Sequence, residues 1–310
     1  MHKLIEFFLV MVMAATGTTY PSAHLTDDKT SGDTARAQEL LTQARNALGG
    51  DAKIKVVQSL TASGKFRRTL GPQAPEMSGE FDLEFLLPDK FKRTENMTLM
   101  GGAAQATRIE GFNGEQMFFD SSSSGGGMIM MRRPGGDDPK AQASQLRAMK
   151  ADVTRNLIAW LLTVPDSYQI QFTYAGEADS PEGKADIVDA KNADGFAARL
   201  FLDQKTHQPL MLSYKAVVPK VFMRTMQAPS KEDAEKKAKE MEKQTADEIA
   251  KAQQTAQESE IQIYYGDYRS VDGVLLPHKI SRSVNGEVSE EWEISKFKIN
   301  PPLKAEKFKK

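Results

Sequence analysis

The chain has 310 residues, 40% hydrophobic and 27% charged, with a net charge of -1. That balance belongs to a globular protein, not a membrane bundle, and sets up no field to draw in nucleic acid. Cysteine is absent and the only histidines are His2, His24, His207 and His278, which excludes disulfides, thiolate metal sites, a cysteine nucleophile and an acylated lipobox cysteine.

Residues 1–23 read as a secretory signal peptide. His2 and Lys3 give a weak basic start, and an apolar run broken by Glu6 follows. Small residues come next, with cleavage expected after Gly17 or Ala23. The run, about 12 residues, is too short to span a bilayer. An exported, periplasmic protein is expected. Residues 24–32 read as an irregular lead-in, and 33–310 as one domain.

A helix is predicted from Asp33 or Thr34. Ala37, Leu40, Leu41, Ala44, Ala47 and Leu48 fall at helical spacing, and Gly49-Gly50 stop it. A short second helix is expected over 52–57. Strands follow at 59–69 and 77–87. In the second, Met77, Phe81, Leu83, Phe85 and Leu87 alternate with Ser78, Glu80, Asp82 and Glu84. That period of two buries one face and wets the other. Further strands are predicted at 91–100, 107–112 and 116–120, the last two joined by Asn113-Gly114, a strong hairpin signal.

The stretch 121–139 is rich in Gly and Ser and carries Met128, Met130 and Met131. It reads as a long loop. Its methionines fit packing, a greasy lid over a ligand, or a soft-metal site, and the Ser/Gly context favours the mobile lid over a preformed metal site. A helix over 140–163 ends before Pro165. Leu146, Met149, Val153, Leu157, Trp160 and Leu161 form one stripe, and Ile158 and Leu162 widen it, so its last turns are buried on more than one side.

Seven more strands are predicted at 168–175, 184–190, 195–202, 209–217, 260–269, 274–284 and 290–298. Asp194-Gly195, Asp272-Gly273 and Asn285-Gly286 supply turns, and Pro209 and Pro277 sit where no backbone donor is needed. Residues 230–257 break this series. Rich in Ala, Lys, Glu and Gln, they read as a charged helical insertion with a thin apolar stripe, either solvated or docked on an envelope partner.

No catalytic constellation is present. There is no G-x-S-x-G elbow, H-E-x-x-H, phosphate loop or dinucleotide fingerprint. His207 and His278 lie near Pro in hairpins and read as surface turn residues or as partners of a carboxylate. Glu290/Glu291 and Asp137/Asp138 are adjacent acids that point apart or into water. No catalytic residue, metal or cofactor is expected.

The order of segments is informative. An N-terminal helix precedes LLPDKFKR (86–93) and EGFNGEQMFF (110–119). An apolar helix, LFLDQKTHQPLML (200–212) and VDGVLLPHKI (271–280) follow. This order resembles the LolA/LolB-like superfamily of exported outer-membrane lipoprotein-sorting carriers, which also includes anti-sigma regulators. The resemblance implies a mostly β fold, a half-open and strongly curved antiparallel barrel covered by helices. It implies a non-catalytic carrier or chaperone for acyl chains of lipids or lipoproteins, or an envelope sensor or protein-interaction module of the same fold. Phe81, Leu83, Phe85, Met97, Leu99, Leu157, Trp160 and Leu161 are the expected acyl-cavity residues, with Met128, Met130 and Met131 as lid. Arg68 and Arg93, in the early strands, are candidates for a lid-locking arginine.

Overall fold

The computed structural model describes residues 27–69, 76–99, 102, 104–125, 139–180, 183–218 and 258–309. Three α-helices lie among them, α1 (Asp27–Ala47), α2 (Asp51–Ile54) and α3 (Pro139–Leu161). The strands are β1 (Ser59–Arg68), β2 (Met77–Leu86), β3 (Lys90–Leu99), β4 (Ala104–Asn113), β5 (Gln116–Gly125), β6 (Gln171–Ser180), β7 (Gly183–Lys191), β8 (Ala197–Asp203), β9 (Pro209–Val217), β10 (Glu258–Val271), β11 (Val274–Val284) and β12 (Glu287–Ile299). All pair antiparallel in one 12-stranded sheet, ordered β5-β4-β3-β2-β1-β12-β11-β10-β9-β8-β7-β6. The sheet is curved and does not close.

The chain path explains the opening. β1 to β5 step outward by hairpins to one edge. α3 then carries the chain to the other edge, and β6 to β12 step back until β12 pairs with β1. A helix of 23 residues is about 35 Å long at its usual rise, which suits a crosspiece over the open side.

The pleat sorts each strand's side chains. On the inner face Leu60 lies opposite Phe85, Phe85 opposite Phe91, and Phe91 opposite Phe112. Ala62 lies opposite Leu83 and Phe297. The last turns of α3 fill this surface, with Trp160 edge-on to Phe85 at 5.8 Å and to Phe297 at 5.5 Å. α1 packs on β6 through Leu40, Leu41 and Ala44, and its Leu48 carbonyl accepts from the Leu275 amide at 2.8 Å. On the outer face the C-terminal 3-10 turn, Ala305–Phe308, buries Phe308, and Lys307 pairs with Glu84 at 3.1 Å.

The structure departs from the sequence reading in a few places. α1 starts at Asp27, inside the expected lead-in. β5 runs through Ser121–Gly125, expected as loop, because β4 begins at Ala104 and offers it a full ladder. The β4–β5 turn is Gly114-Glu115, with Gly114 at φ 61° and Asn113 paired to Gln116. His278 is no surface turn residue. It is buried, with its ring near the Leu276 carbonyl at 3.1 Å and edge-on to Phe297 at 5.2 Å. Residues 1–23 and 230–257, with Met128, Met130 and Met131, lie outside the described residues.

Two consequences can be measured. Asn285 and Gly286 both take positive φ, 51° and 84°, the backbone of a type I′ turn. No atom lies near where a Gly286 side chain would begin, so Gly286→Val should cost about 1 kcal/mol or more through backbone strain alone, read as a lower urea midpoint. Val217 and Glu258 are register partners, so the chain leaves and re-enters the sheet at one place. Replacing 230–257 with a short Gly/Ser linker should leave the melting temperature within a few degrees; loss of the cooperative transition would show that this segment holds the sheet.

Candidate functional site

The expected cavity residues come together. Phe81, Leu83, Phe85 and Met97 share the inner face of β2 and β3, and Leu157, Trp160 and Leu161 of α3 lie in the same apolar core. All seven are buried at 3% exposure or less. The strand residues line one side because positions two apart share a face, and the helix residues meet them because α3 is apolar nearly all round at its end. Leu99 ends β3, and its side chain lies outside the described part. The concave face is therefore filled by protein, with the last turns of α3 seated on it.

Two polar atoms under this helix have no hydrogen-bond partner among the described residues, the Trp160 indole Nε1 and the Tyr265 hydroxyl. Burial pushes the Tyr265 phenol well above its ordinary pKa, so it stays a neutral donor. Arg155 anchors the helix from its other side. Its guanidinium stacks 3.7 Å from the Tyr214 ring centroid and 5.2 Å from that of Phe196, and it pairs with Asp152 at 2.8 Å.

Sequence reasoning missed the most ordered polar feature of this face. Arg93 and Glu95 share the inner face of β3 with Phe91 and Met97, and Arg108 and Glu110 share that of β4 with Ala106 and Phe112. Register places Arg93 opposite Glu110 and Glu95 opposite Arg108. Arg93 and Arg108 both bind Glu110. Arg68 reaches from β1 to Glu95 at 2.9 Å and to Glu290 of β12 at 2.5 Å, with its guanidinium 4.9 Å from the Phe66 ring centroid. Gly79 lets it cross β2: a side chain there would meet the Asn96 carbonyl oxygen at 2.1 Å and the Phe66 ring at 3.0 Å. The result is a belt, Arg108–Glu110–Arg93–Glu95–Arg68–Glu290, with three cations and three anions in alternation.

Electrostatics in the belt is strongly coupled. Burial alone would raise Glu95, but Arg93 and Arg68 overcome it and hold the carboxyl at about 2. Glu110 is likewise lowered by Arg93 and Arg108 against its burial. Desolvation opposes the charge on Arg68, yet Glu290 and Glu95 leave its pKa raised. Arg68 and Arg93, the two candidates for a lid-locking role, thus spend their charge on carboxylates of the sheet.

Other surfaces are less suited to a site. A hollow of about 660 Å³ lies among Lys65, Glu80, Asp82, Arg269 and Glu293, charges of both signs, with Phe81, His278 and Ile294 also in its lining. Among the described residues no three His, Asp or Glu converge to hold a metal ion.

Fold and site together define an open antiparallel half-barrel with its concave face filled by a helix and girdled by charge. No family model and no curated protein matches the sequence. Among solved structures the chain is similar to a LolA superfamily protein from Nitrosomonas europaea, at 11% identity and TM-score 0.47, over 88% of this chain and 97% of that one. It is also similar to a DUF1329 family protein from Desulfovibrio piger, at 8% identity and TM-score 0.44, over 88% and 97%. The half-barrel that the sequence resemblance implied is the architecture found. Identities and scores at this level concern architecture alone.

The belt generates a pH prediction. A depressed carboxyl contributes stability above its unfolded pKa that is lost as pH falls through its folded one. For Glu95, between about 4.5 unfolded and about 2 folded, that is roughly 3 kcal/mol lost from pH 4.5 down to 2. Chemical denaturation across that window should show the loss. Glu95→Gln, which takes from Arg68 and from Arg93 one of two carboxylate partners, should start less stable at pH 7 and show a flatter acid limb; an unchanged acid limb would mean that the belt is not ionised as drawn.

Proposed function

We propose that the protein is a non-catalytic carrier of acyl chains, exported to the periplasm, in which α3 occupies the cargo site until cargo displaces it. The observation that carries this reading is the match between an open sheet's apolar inner face and a crosspiece helix that is apolar nearly all round at its end. An acyl chain can replace that helix because it needs burial and no specific polar contact. Each buried CH₂ contributes about 0.8 kcal/mol, so a long chain offsets much of what α3 loses on lifting. The orphan Trp160 and Tyr265 polar atoms lower the cost of lifting, since each forgoes about 1–3 kcal/mol while the helix is seated. The acyl chains of a lipid or lipoprotein in transit through the envelope fit these requirements.

The mechanism divides the residues by role. Phe81, Leu83, Phe85 and Met97 form the floor and stay on the sheet. Leu157, Trp160 and Leu161 leave with the helix. Arg155 and its stacking partner Tyr214 hold the helix on the β9 side, and Lys150 pairs with Glu115 at the β4–β5 turn on the other.

Tethering tests the displacement. The chain has no cysteine of its own. In the double variant Lys150→Cys/Glu115→Cys, a reductively cleavable bis-maleimide should pin α3 to the β4–β5 turn. The tethered protein should take up a fluorescent fatty-acyl probe at least tenfold more weakly than the untethered one, with uptake restored by reductant. Leu161→Glu should weaken uptake too, while Asp82→Ser on the outer face should not. If untethered wild-type protein takes up no acyl probe and yields no lipid on organic extraction, the carrier reading fails, and the interaction-module reading replaces it.

A further inference from the structure

The charge belt is balanced as far as Glu290, but the row continues. Glu290 of β12 lies opposite Arg68 on β1 and opposite Arg282 on β11. Arg282 lies two residues beyond Ile280, opposite Ile263, on the inner face. Its contacts are with hydroxyls, the Ser289 Oγ at 3.4 Å and the Tyr214 phenol. Among the described residues no carboxylate reaches ion-pair distance of Arg282, whereas Arg68, Arg93, Arg108 and Arg155 each have one. The row from Arg108 to Arg282 therefore carries four guanidiniums, Arg108, Arg93, Arg68 and Arg282, against three carboxylates, Glu110, Glu95 and Glu290.

The surroundings of Arg282 are amphiphilic. Ile280 is buried, and Ile263 and Trp292 are partly buried and packed against the core. Trp292 continues into the apolar floor through Phe81, their ring centroids 4.3 Å apart. A molecule lying along this strip would place its apolar part on Trp292 and Phe81 and one end at Arg282.

We infer that the cargo is an acyl chain with a single oxyanion head, and that Arg282 is the group that binds the head, with Glu290 as the built-in competitor beside it. This rests on the carrier reading and narrows it to a cargo class. A carboxylate or phosphate head supplies the charge that this row lacks, and its hydrogen bonds to a guanidinium are charge-assisted. Glu290 stands next to the head and repels it, so it weakens retention of anionic cargo without touching the apolar floor. An acyl chain with a neutral head gains nothing from Arg282 and loses nothing to Glu290.

The test compares heads on one tail. Binding of cis-parinaric acid, its methyl ester and a lysophosphatidic acid of matched length is measured on the full protein by fluorescence or by its displacement. Wild type should bind the acid, the lysophosphatidic acid or both about tenfold more tightly than the ester, and the preferred head identifies the oxyanion as carboxylate or phosphate. Arg282→Gln should bring anion and ester to the same affinity with ester binding unchanged, and Arg282→Lys should keep part of the preference. Glu290→Gln should widen it. If the ester binds as tightly as both anions and Arg282→Gln changes neither, the head-group inference is overturned while the carrier reading stands. If none of the three binds, the carrier reading falls first.

Discussion

One apolar face has to be covered without closing the ring, and most of the structure follows from that. Twelve strands joined by hairpins bury a continuous surface on the inside of their curve. Closing the sheet would pair β5 with β6, but α3 lies between those strands in the chain and must pass from one edge to the other. The helix therefore becomes the cover. α1 and α2, which precede the sheet, cover what α3 does not reach, with α1 on β6 and joined to β11 through Leu48 and Leu275. The apolar contacts that hold this cover in place are thus the same ones that fill the concave face.

The belt of ion pairs answers a second constraint on the same face. Burying a carboxylate as completely as Glu95 (0% exposed) would cost several kcal/mol unless it were paired. Replacing such a network by apolar side chains would often stabilise a protein. The alternation across β4, β3, β1 and β12 is what lets these charges lie on an apolar face, since each is met by an opposite charge from a neighbouring strand or position.

Much of the fold was legible in the sequence, because β-strands carry their burial in a period of two. Residues 77–87 show it openly, and the turns at Asp272-Gly273 and Asn285-Gly286 were legible because only particular residues adopt positive φ cheaply. The burial of Phe81, Leu83 and Phe85 on one face was legible for the same reason. The belt was not, although a signal existed. In KFKRTENMTL the positions that share a face are Phe91, Arg93, Glu95 and Met97, and strict parity puts Arg93 and Glu95 indoors with the two hydrophobes. Charge argued for solvent and parity for burial, and parity was right because each charge found its opposite on a neighbouring strand. That pairing depends on register between strands distant in sequence, such as Arg68 with Glu290, which no local pattern encodes. His278 was misread for a related reason. Its place beside Pro277 near a turn looked exposed, but even numbering on β11 puts it with Leu276 and Ile280 on the inner face.

The two helices that cover the concave face differ in how well their polar groups are served, and this bears on which of them moves. α1 ends in a satisfied junction. The Leu48 carbonyl accepts from Leu275, Arg45 binds Asp51 at 2.5 Å, and Lys53 of α2 reaches the Gly273 carbonyl at 3.3 Å. Lifting α1 together with α2 would break the first and the last of these. α3 buries mostly apolar side chains, with Arg155 and Lys150 as polar anchors at its flanks, and its surroundings hold Trp160 Nε1, Arg155 Nε and Tyr265 Oη without partners among the described residues. Apolar contact is non-directional and can be exchanged for other apolar contact, whereas a hydrogen-bonded junction can only be exchanged for water. On the proposed carrier reading, an acyl chain can therefore substitute for the underside of α3 in a way that it cannot substitute for the end of α1, and water reaching the three orphan groups of a lifted α3 would recover part of the cost. The same count gives that reading its balance: the seated helix is favoured by burial and disfavoured by unmet polar groups, which keeps the proposed exchange within reach of a single chain.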